Sequence, residues 1–82
     1  MTSGNGEERT YRLGGLRRSL HVTQQAVASK MGVAQSHVSA IERSALPSIE
    51  VGTLAAYVEA LGGRLELVAD FEDERITLAG WE

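Results

Sequence analysis

Residues able to carry out covalent or metal chemistry are scarce in this 82-residue chain. It contains no cysteine, which excludes a disulfide framework, a thiolate zinc site, an iron–sulfur cluster and a cysteine nucleophile. His21 and His37 have no supporting ligand cluster, so we expect neither a metal site nor a cofactor. The acidic residues between positions 70 and 74 lack a nucleophile or metal partner and are interpreted as a solvated turn. The sequence therefore predicts a protein that is not an enzyme.

The remaining chemistry is that of non-covalent recognition, and the charges are divided unevenly for it. Residues 1–49 carry six arginines and lysines against three glutamates, whereas residues 50–82 carry two arginines against eight acidic residues. This asymmetry favours a basic face that meets phosphates in the first half and an acidic part in the second. Ordinary solvated surface charge explains the same distribution equally well, so the distribution alone does not decide between the two interpretations.

Length and hydropathy limit the kind of fold that can position these charged groups. A chain of this size forms one compact core, and 43% hydrophobic with 23% charged residues is typical of an ordered, soluble domain. Apolar runs are too short for a membrane span, and the amino terminus lacks a secretory pattern. We expect a soluble, cytoplasmic protein with no membrane partner.

Apolar residues at helical spacing predict four helices after a flexible leader at residues 1–8. Thr23 is expected to cap the second helix and Gly32 to end it, while the third helix should end near Ser44. Tyr57 is expected at the edge of the fourth helix. The inward positions are Leu13, Leu16 and Leu20, then Val27, Ala28 and Met31, then Val38, Ile41 and Ala45, and finally Leu54, Val58 and Leu61.

Beyond Gly63 the apolar period becomes two, which predicts a β ribbon. A strand containing Leu65, Leu67, Ala69 and Phe71 is followed by a turn at 72–74 and a second strand at 75–79 that contains Ile76 and Leu78. An isolated hairpin is marginally stable, and its open edge is a template for another chain. We therefore expect the ribbon to form a homodimer interface through Leu65, Leu67, Phe71, Ile76 and Leu78; packing on the helices is the alternative. Trp81 is either an interface anchor or part of a frayed terminus.

The segment from Gln24 to Arg43 combines the features of two short helices packed at a steep angle. Such a pair needs a small residue at the contact, here Ala28, and a turn residue that tolerates positive φ, here Gly32. Apolar anchors stand at the required offsets: Val27, Met31, Val33, Val38 and Ile41.

Extended by Val22 and Thr23, this segment reads VTQQAVASKMGVAQSHVSAIER and resembles the Xre-type or phage-repressor-like helix-turn-helix family. Residues 13–61 resemble the helices of that family's domain. The resemblance implies a mainly α, lambda-repressor-like domain of four to five helices with a C-terminal β-strand or hairpin. It divides the chain into a DNA-binding domain at 9–62 and a dimerisation ribbon at 63–82. It also implies a bacterial protein, associated with the nucleoid when bound to double-stranded DNA.

By this resemblance, the helix from about residue 35 is a recognition helix whose amino-terminal end faces base edges in the major groove. A glutamine amide suits adenine, serine suits either type of base edge, and alanine suits a thymine methyl group. Other residues are expected at the phosphate backbone. The predicted base-reading residues are Gln35, Ser36, Ser39 and Ala40; the predicted backbone contacts are Gln24, Thr23, Arg43, Lys30, His37 and Arg12, with Arg9 as a further candidate.

Arg17 and Glu42 occupy positions at which the family often has a buried ion pair, so the resemblance gives them a structural role. Phosphate contact by Arg17 is the weaker alternative. His21 stands where relatives commonly have glycine, and it is expected to cap the first helix.

Two functions remain open. One is a homodimeric repressor of a palindromic operator, with its two recognition helices about 34 Å apart. The other is an antitoxin of the HigA or HipB sort, which the Gly-Gly-Arg-Leu-Glu-Leu segment resembles. An antitoxin both represses its own operon and neutralises a toxin, and the acidic residues 66–74 offer a surface for the basic site of a ribonuclease-like toxin.

Overall fold

The computed structural model describes residues 9–82, so the predicted leader at 1–8 lies outside the described residues. Within these residues, four α-helices are followed by one antiparallel two-stranded ribbon, which confirms the predicted fold class. The elements are α1 (Leu13–Ser19), α2 (Gln24–Met31), α3 (Gln35–Arg43), a 3-10 turn (Leu46–Ser48), α4 (Val51–Ala60), β1 (Leu67–Phe71) and β2 (Glu74–Leu78).

The connection between α2 and α3 is held by local hydrogen bonds. The hydroxyl of Thr23 accepts from the backbone N–H of Ala26 at 3.0 Å and caps α2. Gly32 ends α2 with φ at +75°, a conformation that residues with a Cβ rarely adopt. The N–H groups of Gly32 and Val33 both bond the carbonyl of Ala28, at 2.8 and 3.0 Å. This closed turn sets the angle at which α3 leaves α2.

The core lies where α2, α3 and α4 meet. Val27, Val38 and Tyr57 are fully buried, and the small Ala28 lies at the contact between α2 and α3. Ile41 and Ala60 complete the buried cluster, with Leu13 from α1 packed against it. These residues bury apolar surface on both members of the steeply packed pair, which fixes α3 against the remainder of the domain.

Three sequence-based expectations for the core are wrong. Tyr57 is not at the edge of α4 but fully buried. Leu20 is 48% exposed because α1 ends at Ser19, and Ala45 is exposed because it lies beyond the end of α3, before the 3-10 turn. An i, i+7 spacing places two residues on one face only while the helix continues between them.

The ribbon begins at Leu67 rather than Leu65, and its second strand begins at Glu74 rather than Arg75. Leu67 pairs with Leu78 and Ala69 with Ile76, so these four apolar side chains share one face with Phe71. Every residue of β2 is exposed, and Phe71 is 57% exposed. The apolar face of the ribbon is therefore open to solvent at Phe71, Ile76 and Leu78, whereas Leu67 and Ala69 are partly buried.

Across residues 9–82, the structure has no helix that is both long enough and apolar enough to span a membrane.

Candidate nucleic-acid interface

The first turns of α3 present polar side chains outward. Gln35, Ser36, His37 and Ala40 are exposed, whereas Ser39 is partly buried. Val38 and Ile41, on the inner face of the same helix, anchor it in the core. The helix is thus firmly packed on one side while its amino-terminal end remains accessible.

An amide-to-amide hydrogen bond fixes the orientation of Gln35. The Nε2 atom of Gln24 donates to Oε1 of Glu42 at 3.0 Å, which leaves Oε1 of Gln24 to accept from Nε2 of Gln35 at 3.2 Å. Because a carboxylate can only accept, it sets the direction of both amides. Gln35 therefore keeps its carbonyl oxygen and one N–H for an outside partner.

Glu42 itself is held by a buried ion pair with Arg17. The Nε atom of Arg17 donates to Oε2 of Glu42 at 2.6 Å and its Nη2 to Oε1 at 3.2 Å, a two-point contact between side chains only 10% and 8% exposed. Arg17 also donates through Nη1 to the carbonyl of Val22 at 2.9 Å. The guanidinium therefore joins α1, the segment before α2, and α3, and is occupied by partners within the chain.

Tyr57 brings α4 to the same carboxylate. Its hydroxyl donates to Oε2 of Glu42 at 2.6 Å and lies 3.1 Å from the carbonyl oxygen of Leu13. The spacing of apolar residues on α4 did not indicate a role for Tyr57. A tyrosine donor could have been expected only from the burial of Glu42, because a buried carboxylate needs several hydrogen-bond donors.

The protonation of this network follows from its contacts. Burial alone would raise the pKa of Glu42, but hydrogen bonds from Arg17, Tyr57 and Gln24 and the positive charge of Arg17 hold the pKa at about 2. Burial and the adjacent Glu42 carboxylate raise the pKa of Tyr57 well above its usual value. Hydrogen bonding to Glu42 raises the pKa of Arg17 against the opposing effect of burial. Glu42 is thus ionised, Arg17 protonated and Tyr57 neutral at physiological pH.

Beside this network lies a depression that we call the arginine pocket, formed where α1 meets α2 and α3. Its lining residues include Arg12, Gly14, Arg18, Gln24, Ser39 and Arg43. Arg43 donates from Nη1 to the hydroxyl of Ser39 one turn earlier on α3. Arg18 was not among the predicted site residues, because a second arginine beside Arg17 has no distinguishing pattern.

The other predicted backbone-contacting residues are not gathered there. Lys30 lies at the far end of α2, beside Glu59 and Ala60 of α4. Thr23 uses its side-chain oxygen to cap α2. His21 adopts φ of +61°, the left-handed conformation that favours glycine and that ends α1. Among the described residues, no group of three or more histidines and acidic residues is placed to hold a metal ion.

A short, glycine-turned pair of helices with an exposed second helix defines the helix-turn-helix class of proteins. The family model described as Helix-turn-helix matches residues 15–68, and the chain belongs to this family, as its resemblance to Xre-type proteins predicted.

Two relatives come from Mycobacterium tuberculosis (strain ATCC 25618 / H37Rv). The chain is 46% identical over 69 residues to a protein provisionally named antitoxin HigA3, covering 83% of this chain and 63% of that protein. It is 44% identical over 73 residues to one provisionally named antitoxin HigA2, covering 89% and 72%. The chain thus spans less than two thirds of the length of the HigA3 relative.

Solved structures share the fold over nearly the whole chain. A structure described as DNA-bound antitoxin HigA3 superposes with a TM-score of 0.83 at 43% identity, covering 92% of this chain and 97% of that one. Another, described as induced DNA bending by unique dimerization of HigA antitoxin, has a TM-score of 0.82 at 43% identity, covering 90% and 99%.

Proposed function

We propose that this protein is a sequence-specific, double-stranded DNA-binding transcriptional regulator that inserts α3 into the major groove. The observation that carries the proposal is the exposed amino-terminal end of α3, whose Gln35 is oriented by Gln24 and, through it, by Glu42. A major groove admits an α-helix, and an amide with a free acceptor and a free donor matches the edge of adenine. The solved structure of DNA-bound antitoxin HigA3 supports the same role.

The neighbouring residues of α3 extend the proposed reading surface. Ser36 is exposed and its hydroxyl suits either type of base edge, whereas the exposed methyl group of Ala40 suits a thymine methyl. Ser39 is partly buried and its hydroxyl accepts from Arg43, which leaves its own O–H as a donor for an outside partner.

The proposed backbone contacts fall into two groups. Arg12, Gln24 and Arg43 line the arginine pocket beside α3, where they can set the register on DNA without reading sequence. His37 is exposed on α3 itself, and Thr23 stands at the start of α2. Lys30 is separated from the pocket along α2, so we assign it a peripheral electrostatic role.

We further propose that two copies associate through the ribbon. Its open apolar face carries Leu67, Phe71, Ile76 and Leu78, with Leu65 just before it, and covering this face removes apolar surface from water. A described dimerization of a HigA antitoxin supports the association of two copies. Such a homodimer would present two α3 helices to a palindromic operator, with half-sites about one helical turn apart, and would repress by blocking the promoter. It would act on the bacterial nucleoid, with 9–62 binding DNA and 63–82 joining the subunits.

Antitoxin activity is the second proposed function, favoured by the names of both M. tuberculosis relatives. The ribbon supplies an acidic surface for a toxin. Asp70 is paired with Arg75 at 3.5 Å and Glu66 with Arg64 at 2.6 Å, but Glu72, Asp73 and Glu74 form no ion pair within residues 9–82. Their charge is available to a basic partner. Co-purification with the product of the neighbouring reading frame, and loss of that complex when all three acids become glutamine or asparagine, would support this function; retention of the complex would exclude this surface.

The primary proposal is tested by selecting duplexes from a random pool with the purified full chain. We expect enrichment of a palindromic site and protection of both half-sites in footprinting. Failure to retain any duplex at low ionic strength would overturn the proposal.

A further inference from the structure

The arginine pocket concentrates positive charge at one place on the surface. Arg12 precedes α1, Arg18 lies near the end of α1, and Arg43 closes α3, yet all three line the same depression. Gln24 and Ser39 add an amide and a hydroxyl between them. Residues distant in the sequence therefore converge on a site rich in hydrogen-bond donors.

The arginines of this pocket differ from three other arginines of the described chain in lacking a carboxylate partner. Arg17, Arg64 and Arg75 each have a carboxylate partner. Within residues 9–82, Arg12, Arg18 and Arg43 form no ion pair. Glu42 also lines the pocket, but its carboxylate already accepts from Arg17, Gln24 and Tyr57. The pocket thus keeps an uncompensated positive charge.

Gly14 makes room for this arrangement. A Cβ at this buried position would lie 3.1 Å from Oε1 of Glu42 and 3.2 Å from Nη1 of Arg18. Because Gly14 has no side chain, the Arg18 guanidinium and the Glu42 carboxylate can both lie against the backbone of α1 at this position. Gly14 therefore shapes the floor of the pocket, whereas Gly15, next to it, meets only Tyr11 at an ordinary 3.6 Å.

We propose that the arginine pocket binds a backbone phosphate diester of duplex DNA and that Arg18 is one of its ligands. The inference rests on the proposed DNA-binding function and adds Arg18, and a phosphate shared with it, to the backbone contacts proposed there for Arg12, Gln24 and Arg43. Guanidinium groups match phosphate oxygens by paired hydrogen bonds, and an amide and a hydroxyl supply further donors. Gln24 contacts Gln35 directly, so a phosphate in this pocket lies beside the helix end that faces the bases. Binding there fixes the depth and register of α3.

The test is a salt titration of the full-length Arg18→Gln variant on the selected operator and on an unrelated duplex. Each lost phosphate contact should lower the slope of log affinity against log salt by about 0.9, equally on both duplexes. Arg64→Gln removes the same charge from an exposed ion pair away from the pocket and should leave the slope unchanged.

Operators with one neutral methylphosphonate at successive positions then locate the contact. At one position in each half-site, the substitution should weaken wild-type binding more than it weakens binding by Arg18→Gln, because the variant has already lost one ligand of that phosphate. An unchanged slope for Arg18→Gln, or additive losses at every position, would overturn the pocket while leaving the DNA-binding proposal intact. If the wild-type chain binds no duplex at all, the proposed function fails and the phosphate site fails with it.

Discussion

The helical part buries its interacting groups within the chain, whereas the ribbon leaves apolar side chains exposed. In the helical part, even a buried charge finds its partners within the chain: Glu42 is contacted by Arg17, Gln24 and Tyr57. The ribbon instead leaves Phe71, Ile76 and its neighbours exposed. The helical part buries its charged and apolar groups within the chain, whereas an exposed two-stranded ribbon is only marginally stable by itself.

The largest effect is expected at the buried network. Glu42→Ala strands the Arg17 guanidinium without its carboxylate and should lower the free energy of unfolding by about 3–5 kcal/mol. Urea denaturation measures the loss. Glu66→Ala breaks an exposed ion pair on the ribbon side and should change stability by less than about 1 kcal/mol. Equal losses in the two variants would contradict the difference between the regions.

The same network predicts an acid-sensitive contribution to stability. The folded-state pKa of Glu42 is about 2, below the ordinary 4.5, so its ionised form stabilises the fold fully above pH 4.5 and progressively less as pH falls towards 2. Glu42→Gln cannot titrate at this position. The stability difference between wild type and this variant should therefore shrink across that range in urea melts; a constant difference would refute the assignment.

The proposed dimer interface on the ribbon is tested by placing a charge on each of its two faces in turn. Ile76→Glu places a carboxylate on the apolar face and should weaken self-association at least about tenfold, because burying an unpaired charge is strongly unfavourable. Thr77→Glu places it on the other face and should leave the dimer intact. Sedimentation measures both, and helical circular dichroism should be unchanged. A dimer that survives Ile76→Glu would exclude this interface.

The smallest effect separates two adjacent glycines of α1. Gly15→Ala gains helix propensity without a close contact and should stabilise the protein by about 0.5–1 kcal/mol. Gly14→Ala meets Glu42 and Arg18, whose positions are set by the network and the pocket, and should lose that gain or destabilise. Thermal melts of the two variants make the comparison; equal stabilisation would show that the close approach at Gly14 is relaxed easily.

Local signals predicted most of the helical part. Thr23 and Gly32 mark the boundaries of α2 because capping and positive φ are properties of a few neighbouring residues. The proposed site was less predictable. Tyr57 and Arg18 matter through partners far away in the sequence, 15 residues in the case of Tyr57 and Glu42, and no spacing rule on one helix reveals such a contact. The ribbon strands were found, but their start shifted because alternation continues into Leu65 before pairing begins.

The central claim is that Gln35, held by Gln24, faces a base in the major groove. Its most direct test is the base preference of Gln35→Ala across all single substitutions of the selected operator. For Gln35→Ala we predict a loss of about 1–3 kcal/mol in binding free energy on the selected site and a relaxed base preference at one position in each half-site. The control is Gln25→Ala, which changes the exposed neighbour of Gln24 and should alter neither quantity. An unchanged preference at every position would contradict the account.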